Sequence, residues 1–155
     1  MKRGLGVMFG LLAAVHCTGS LAVGILKLSR TEMTVVPDRE PGDLWVENRG
    51  NTPLYLDVTQ QLVANPGHMP EKLVPVEEVL HPGLLIMPRR VTISPGQKTR
   101  VMLKVLDVPR RTQIWRVTFR PRERIVVDTG DATSGPAPLF IGLGYGVLIY
   151  HKKIE

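Results

Sequence analysis

Apolar and polar residues alternate over several short stretches of this 155-residue chain. The clearest of these stretches are 53–63, 97–106 and 112–120. Successive side chains of a β-strand point to opposite faces, so a period of two predicts a strand with one buried and one exposed face. Proline and glycine separate these stretches, and no segment keeps a helical period for long. The pattern therefore predicts an all-β sandwich of about seven strands.

Turn and loop signals divide the rest of the chain. A polar, proline-bearing connection spans 65–82, and 77–80 within it has the length of one helical turn. The stretch 129–138 (TGDATSGPAP) has the composition of a loop. The remaining extended segments that we predict are 24–36, 44–48, 84–87, 91–93 and 139–150.

The last predicted strand, 139–150, has two unlike faces. Its even positions carry glycine at 142, 144 and 146, whereas its odd positions are apolar throughout. Glycine weakens a strand interior and often marks a bulge or the close approach of another backbone. Two interpretations follow. The segment is either a central strand of the core or an edge strand that offers its apolar face and its hydrogen-bonding edge to another protein.

The N-terminus has the features of an export signal. The positive residues Lys2 and Arg3 precede an apolar stretch and the small-residue sequence SLA, which ends at Ala22. We therefore predict a signal peptide at 1–22 that is removed after Ala22. The alternative is an uncleaved anchor, because the uncharged stretch 4–26 is long enough to span a bilayer.

Cysteine usage and charge narrow the classes of partner. The only cysteine, Cys17, lies in the predicted signal peptide, so the mature domain would have no disulfide and no cysteine-based metal site. The net charge is +6, of which Lys2 and Arg3 in the predicted signal peptide contribute two, and the remaining positive charge suits an acidic or carboxylate-bearing partner. Nucleic acid fits less well, because the basic residues are scattered along strand-like segments and few aromatic residues could stack on bases.

No arrangement of residues points to catalysis or to a metal. The four histidines are dispersed, with no pair at the spacing of metal ligands. The glycine-rich run 142–146 has neither a following helix start nor a Lys-Ser/Thr pair, so it does not match a phosphate-binding loop. We therefore predict no enzymatic activity, no cofactor and no metal.

Four segments, in order, resemble the N-terminal domain of periplasmic pilus (fimbrial) chaperones. The segment 85–103 (LIMPRRVTISPGQKTRVML) is similar to the strand, proline, strand, Pro-Gly, strand signature of that family. The segment 44–48 resembles its second strand, 113–119 its penultimate strand and 140–150 its terminal strand. The resemblance covers nearly all of 23–151, and it is closer to the alternative chaperones of the common-pilus type than to the PapD-like archetypes.

This resemblance implies an immunoglobulin-like β-sandwich in the periplasm that acts as a chaperone of pilus subunits, with an outer-membrane usher as a second partner. In the family, the terminal strand completes the incomplete fold of a subunit by donor-strand complementation. Basic residues also hold the subunit's C-terminal carboxylate. Arg30 matches the family's first-strand arginine, Arg116 is the second candidate, and a guanidinium can bind a carboxylate through two hydrogen bonds. The donor residues implied by the match are Leu139, Ile141, Leu143, Tyr145 and Val147.

Two departures from the family's pattern leave alternatives open, one for the second carboxylate anchor and one for the number of domains. Val147 stands where the family has a lysine before its terminal Leu-aromatic-Tyr run, so Arg116 or Lys152 would have to substitute. The family has two domains, whereas we expect a single domain here, at 23–155, without the second. The alternative function is a structural or adhesive β-sandwich module of the bacterial envelope that is not a chaperone.

Overall fold

The computed structural model describes residues 24–122 and 144–154. The predicted signal peptide 1–22 and the predicted loop 129–138 lie outside these ranges, as do the predicted donor residues Leu139, Ile141 and Leu143. Within the described residues, no helix is long and apolar enough to cross a bilayer.

Ten strands form the described part of the chain, and its helical element is a single 3-10 turn, Val76–Glu78. The all-β fold predicted from the alternating pattern is confirmed. The strands are β1 (Leu26–Leu28), β2 (Glu32–Val35), β3 (Leu44–Asn48), β4 (Leu54–Val63), β5 (Leu73–Pro75), β6 (Leu84–Met87), β7 (Arg90–Ile93), β8 (Lys98–Val105), β9 (Gln113–Pro121) and β10 (Tyr145–His151).

These strands make two sheets that pack face to face. The first sheet has the order β1-β3-β8-β6, and the second has the order β2-β10-β9-β4-β5, with β7 also paired to β4. Every pairing is antiparallel except that of β2 with β10, which is parallel. The last strand therefore lies beside an early strand and runs in the same direction.

The first extended segment crosses from one sheet to the other. The sequence predicts one strand over 24–36, but β1 pairs with β3 in the first sheet and β2 pairs with β10 in the second. Leu26 and Met33 are both buried, yet an odd number of positions separates them. A straight strand would turn these two side chains to opposite faces. The prediction of one strand is therefore corrected to two, because only a crossing lets both residues face the core.

The core lies between the two sheets and contains the face predicted for β9. Trp115, Val117 and Phe119 are fully buried, which confirms that prediction. On β8 the predicted alternation is only partly correct, because Val101 is buried whereas Val105 is 37% exposed. The pairing of β8 with β3 ends at Val101, and beyond that residue β8 pairs with the short strand β6.

The sheet edges are short. The strands β1, β2, β5 and β6 have three or four residues each. At β6 the Gln60 side chain from β4 takes the place of a neighbouring strand: its Nε2 donates to the Leu84 carbonyl at 2.8 Å, and its Oε1 accepts from the Ile86 N–H at 3.0 Å. Short edge strands and occupied edge groups both oppose the addition of a strand from another chain.

One histidine belongs to the core. His151, at the end of β10, is fully buried, and neither ring nitrogen has a hydrogen-bond partner among the described residues. The ring fits because Gly83 has no side chain: a Cβ atom there would lie 2.9 Å from His151 Cε1 and 2.9 Å from the Asp107 carbonyl oxygen. Burial lowers the pKa of His151, and the nearby negative charge of Asp107 opposes that shift.

Candidate strand-addition site

β10 has a neighbouring strand along its whole length on one side only. It pairs with β9 from Tyr145 to His151, whereas its pairing with β2 begins at Leu148. On the β2 side, no residue of the described ranges pairs with 145–147. We call this side of residues 145–147 the open edge.

The open edge exists because β2 begins to pair with β10 only at Leu148. The Ser29 N–H still donates to the Trp45 carbonyl of β3 at 2.9 Å, so the chain is in the first sheet at that residue. Two residues later the Thr31 carbonyl accepts the Leu148 N–H at 2.9 Å, and the chain has joined the second sheet. The crossing at 29–31 therefore leaves the preceding residues of β10 without β2 beside them.

The backbone of Gly146 faces the open edge. In a strand, hydrogen-bonding groups alternate between the two sides, and the Leu148 N–H points to β2. Gly146, two residues earlier, therefore presents its N–H and C=O to the same side. A Cβ atom built at Gly146 would meet nothing within 4 Å. The face of the sheet at Gly146 is therefore unobstructed, and Gly146 itself is exposed.

The odd-numbered face of the terminal strand divides between two environments. Val147 is fully buried in the core of this domain together with Ile149, whereas Tyr145 is 36% exposed. The side chain of Val147 already packs between the two sheets of this domain, and its insertion into a partner stays a prediction. Each of the two interpretations of this strand therefore describes one part of it. The residues from Val147 to His151 belong to a core strand, and residues 145–147 form an edge.

Arg30 lies at the end of the open edge. It is exposed and sits within the crossing, directly before Thr31, whose carbonyl binds Leu148. Its guanidinium extends over Gly42, where a Cβ atom would lie 3.3 Å from Arg30 Nη1. The predicted first-strand arginine is thus close to the point where β2 replaces the open edge as the neighbour of β10.

Arg116 lies on the outer face of β9, in register with Leu148 of β10 and with Gln61 of β4. Its Nη1 lies 2.5 Å from Oε2 of Glu71, which lies two residues before the start of β5, and both side chains are about one-third exposed (31% and 34%). The guanidinium is therefore directed across β4, away from the open edge. Two strand spacings, about 10 Å, separate β9 from β2. Arg116 lies within the second sheet and Arg30 in the crossing that leads into it, but Arg116 is already engaged by a carboxylate.

Sequence reasoning missed the parallel pairing of β2 with β10, which positions the site. The spacing of Leu26 and Met33 would have indicated a crossing, since two buried positions an odd number apart do not fit one straight strand. Lys152, the other substitute for the family's lysine, lies beyond the opposite end of β10, where its N–H donates to the Val35 carbonyl at 2.8 Å. Within the described residues, no group of His, Cys, Asp and Glu side chains could hold a metal ion.

No protein-family model matches this chain, and no curated protein matches it by sequence. Solved structures do match. The class 5 fimbriae chaperone CfaA is 18% identical, with a TM-score of 0.66 over 84% of this chain and 57% of that one. A structure of the Salmonella enterica SafA pilin in complex with the SafB chaperone matches at 13% identity and a TM-score of 0.58, over 84% and 55% of the two chains.

A third match is the CsuC-CsuE chaperone-tip adhesion subunit pre-assembly complex from the archaic chaperone-usher Csu pili of Acinetobacter baumannii. It is 12% identical, with a TM-score of 0.57 over 85% of this chain and 57% of that one. This chain therefore spans little more than half the length of the chains that it matches. Its described part has the immunoglobulin-like sandwich fold of the periplasmic pilus chaperones.

Proposed function

We propose that this protein is a periplasmic chaperone of pilus subunits and that it binds them by strand addition at the open edge. The observation that carries the proposal is the position of the open edge, which is bordered by an exposed arginine at the end where β2 begins. Strand addition uses main-chain hydrogen bonds for affinity and pockets for alternate side chains for specificity. No reaction is catalysed; the protein covers an aggregation-prone edge of the subunit until an usher receives it.

The parallel pairing of β2 with β10 suggests a direction for the partner strand. A strand that occupies the open edge and runs as β2 runs would end where β2 starts, at Thr31. Its C-terminal carboxylate would then lie beside Arg30. A guanidinium holds a carboxylate through two charge-assisted hydrogen bonds, which are about twice as strong as neutral ones. The geometry therefore suits a subunit that ends in the strand it contributes.

The apolar side chains for the partner's groove come from the odd positions before Val147. Tyr145 is exposed beside the open edge, and Leu139, Ile141 and Leu143 continue its period. Two of the matched structures contain a chaperone together with a pilus subunit, which supports subunits as the partner. The short strands at the other edges, and the Gln60 side chain that occupies the edge of β6, favour the open edge as the place of contact.

The decisive experiment replaces Leu143 and Tyr145 together by glutamate. We expect the variant to lose co-purification with co-exported pilus subunits, because two charges cannot enter an apolar groove without a large desolvation cost. The domain should stay folded, since Tyr145 is not part of its core. Tyr55→Glu is the matched control, because Tyr55 is an exposed tyrosine of the same sheet, on β4 and away from the open edge. Undiminished capture by the double variant would favour the alternative of a structural or adhesive module.

A second experiment separates the two candidate anchors. We expect Arg30→Gln to weaken subunit binding about 10- to 100-fold, the worth of charge-assisted hydrogen bonds. Arg116→Gln should weaken it less than about threefold, because Arg116 would first have to release Glu71. The measurement is a binding titration with a purified subunit. A subunit extended beyond its natural C-terminus should bind the wild type and Arg30→Gln equally weakly, and the reverse order of the two variants would contradict the assignment.

A further inference from the structure

The outer face of the first sheet is basic, and it lies opposite the sheet that carries the open edge. Because Val101 of β8 faces the core, the neighbouring alternate positions of that strand face outwards. These positions are Lys98, Arg100, Met102 and Lys104, all exposed. Alternate residues of a strand are about 7 Å apart, so the cations form a row along β8.

Neighbouring strands extend this row into a surface. Lys27 of β1 is in register with Glu47 of β3, which is in register with Lys98. Trp45 of β3 is in register with Arg100, and its ring lies 4.9 Å from Lys98 Nζ. The whole surface, which we call the basic face, comprises Lys27, Asp43, Trp45, Glu47, Arg49, Lys98, Arg100, Met102 and Lys104.

The charges of the basic face do not cancel. Glu47 binds Arg49 at 2.9 Å, and Asp43 binds Arg100 at 2.7 Å. Five cations thus stand against two carboxylates, which leaves a net charge of +3 on one side of the domain. Apolar surface is interleaved with this charge, since Met102 is 53% exposed and Trp45 is half-buried.

We propose that the basic face binds the surface of a bilayer that contains anionic phospholipids. Clusters of four or more lysines and arginines are attracted to anionic lipid headgroups, and tryptophan partitions to the headgroup level. Lysine and arginine can keep their charged ends among the phosphates while their stems cover apolar atoms such as those of Met102. A sheet face presents these groups in one plane, which matches the shape of a membrane surface.

This orientation leaves the open edge accessible. The basic face belongs to the sheet β1-β3-β8-β6, whereas β10 and the open edge belong to the other sheet. A domain held on a membrane by the first sheet would therefore present the second sheet to the aqueous side. The proposal does not depend on pilus subunits being the partner at the open edge, and it can be tested with lipids alone.

The test is co-sedimentation with vesicles of the mature chain from Val23 onwards, because the apolar predicted signal peptide would itself bind lipid. We expect binding to mixed phosphatidylglycerol–phosphatidylcholine vesicles, loss of binding at high salt, and little binding to phosphatidylcholine alone. Each lysine or arginine near the surface contributes about fivefold. The triple variant K98E/R100E/K104E should therefore lower the partition coefficient by at least about 100-fold. The milder variant R100Q/K104Q, for use if the triple variant does not fold, should lower it about 25-fold.

The matched control is a triple variant with the same change of net charge at residues outside the basic face. Arg110, Arg111 and Lys153 are exposed and lie outside the basic face, and their joint replacement by glutamate should lower binding less than about tenfold. Tryptophan emission gives a second readout: it should shift to shorter wavelength with anionic vesicles in the wild type but not in Trp45→Phe, because Trp115 is fully buried. Equal losses in both triple variants would overturn the proposal. So would binding to polyglutamate in the absence of vesicle binding, which would assign the face to an acidic protein.

Discussion

Gly146→Pro is expected to abolish subunit capture while leaving the domain folded. The Gly146 N–H faces the open edge, so proline would remove a donor that the partner strand needs and would place its ring against that strand. The pairing with β9 should survive, because that pairing uses the hydrogen-bonding groups of the odd-numbered residues. We expect affinity for a pilus subunit to fall at least about 100-fold, with a change in the free energy of unfolding of less than about 1 kcal/mol.

Gly146→Ala is the control for this substitution. It keeps the N–H, and its Cβ would meet nothing within 4 Å, so capture should stay within about threefold of the wild type. Binding would be measured by titration, and folding by urea denaturation of the free domain. If Gly146→Pro bound as well as Gly146→Ala, the partner would not be adding a strand at the open edge.

Mild acid is expected to destabilise the domain through His151. Burial lowers the pKa of this imidazole below its usual value of 6.5, so the folded state resists a proton that the unfolded state takes up. The stability that comes from the neutral ring is complete above pH 6.5 and is lost as the pH falls towards the lowered pKa. Each pH unit in that window should remove up to about 1.4 kcal/mol from the free energy of unfolding.

The variant His151→Leu isolates this effect. It keeps an apolar side chain beside Gly83 but has no proton to bind, so its stability should change little between pH 7.5 and 5, in contrast to the wild type. Glu77, whose pKa is lowered by a backbone hydrogen bond and by Arg89, titrates below 4.5 and does not contribute in this window. Urea denaturation at several pH values is the measurement. Equal slopes in the two proteins would show that His151 does not control the acid response.

The sequence alone was sufficient for elements that follow a single period. The buried face of β9 could be predicted because Trp115, Val117 and Phe119 alternate within one straight strand. The same reasoning did not reveal that the domain's own core takes up Val147 and leaves Tyr145 exposed, since a period of two shows only which residues share a face. The boundary between the open and the paired part of β10 is set by β2. That strand is more than a hundred residues away in sequence and pairs with β10 only from Leu148 onwards.

The two arginines illustrate the same limit for the site. Both were predicted from the resemblance as candidate anchors, and Arg30 lies at the end of the open edge. Nothing in the local sequence of Arg116 indicates its ion pair with Glu71, because that contact depends on how the connection after β4 folds back beside the sheet. Long-range pairing of this kind is fixed by tertiary packing rather than by local pattern.

The crossing at 29–31 has a consequence for how a partner's sequence would be recognised. A strand that enters along the open edge in the direction of β2 cannot slide beyond Thr31, because β2 already occupies the next positions on β10. Its last residue would be held at one place, and a slip of one residue would turn every side chain to the wrong face. The position of each partner side chain would therefore be fixed by its distance in sequence from the partner's C-terminus. Selectivity would depend on which of these positions carry apolar residues.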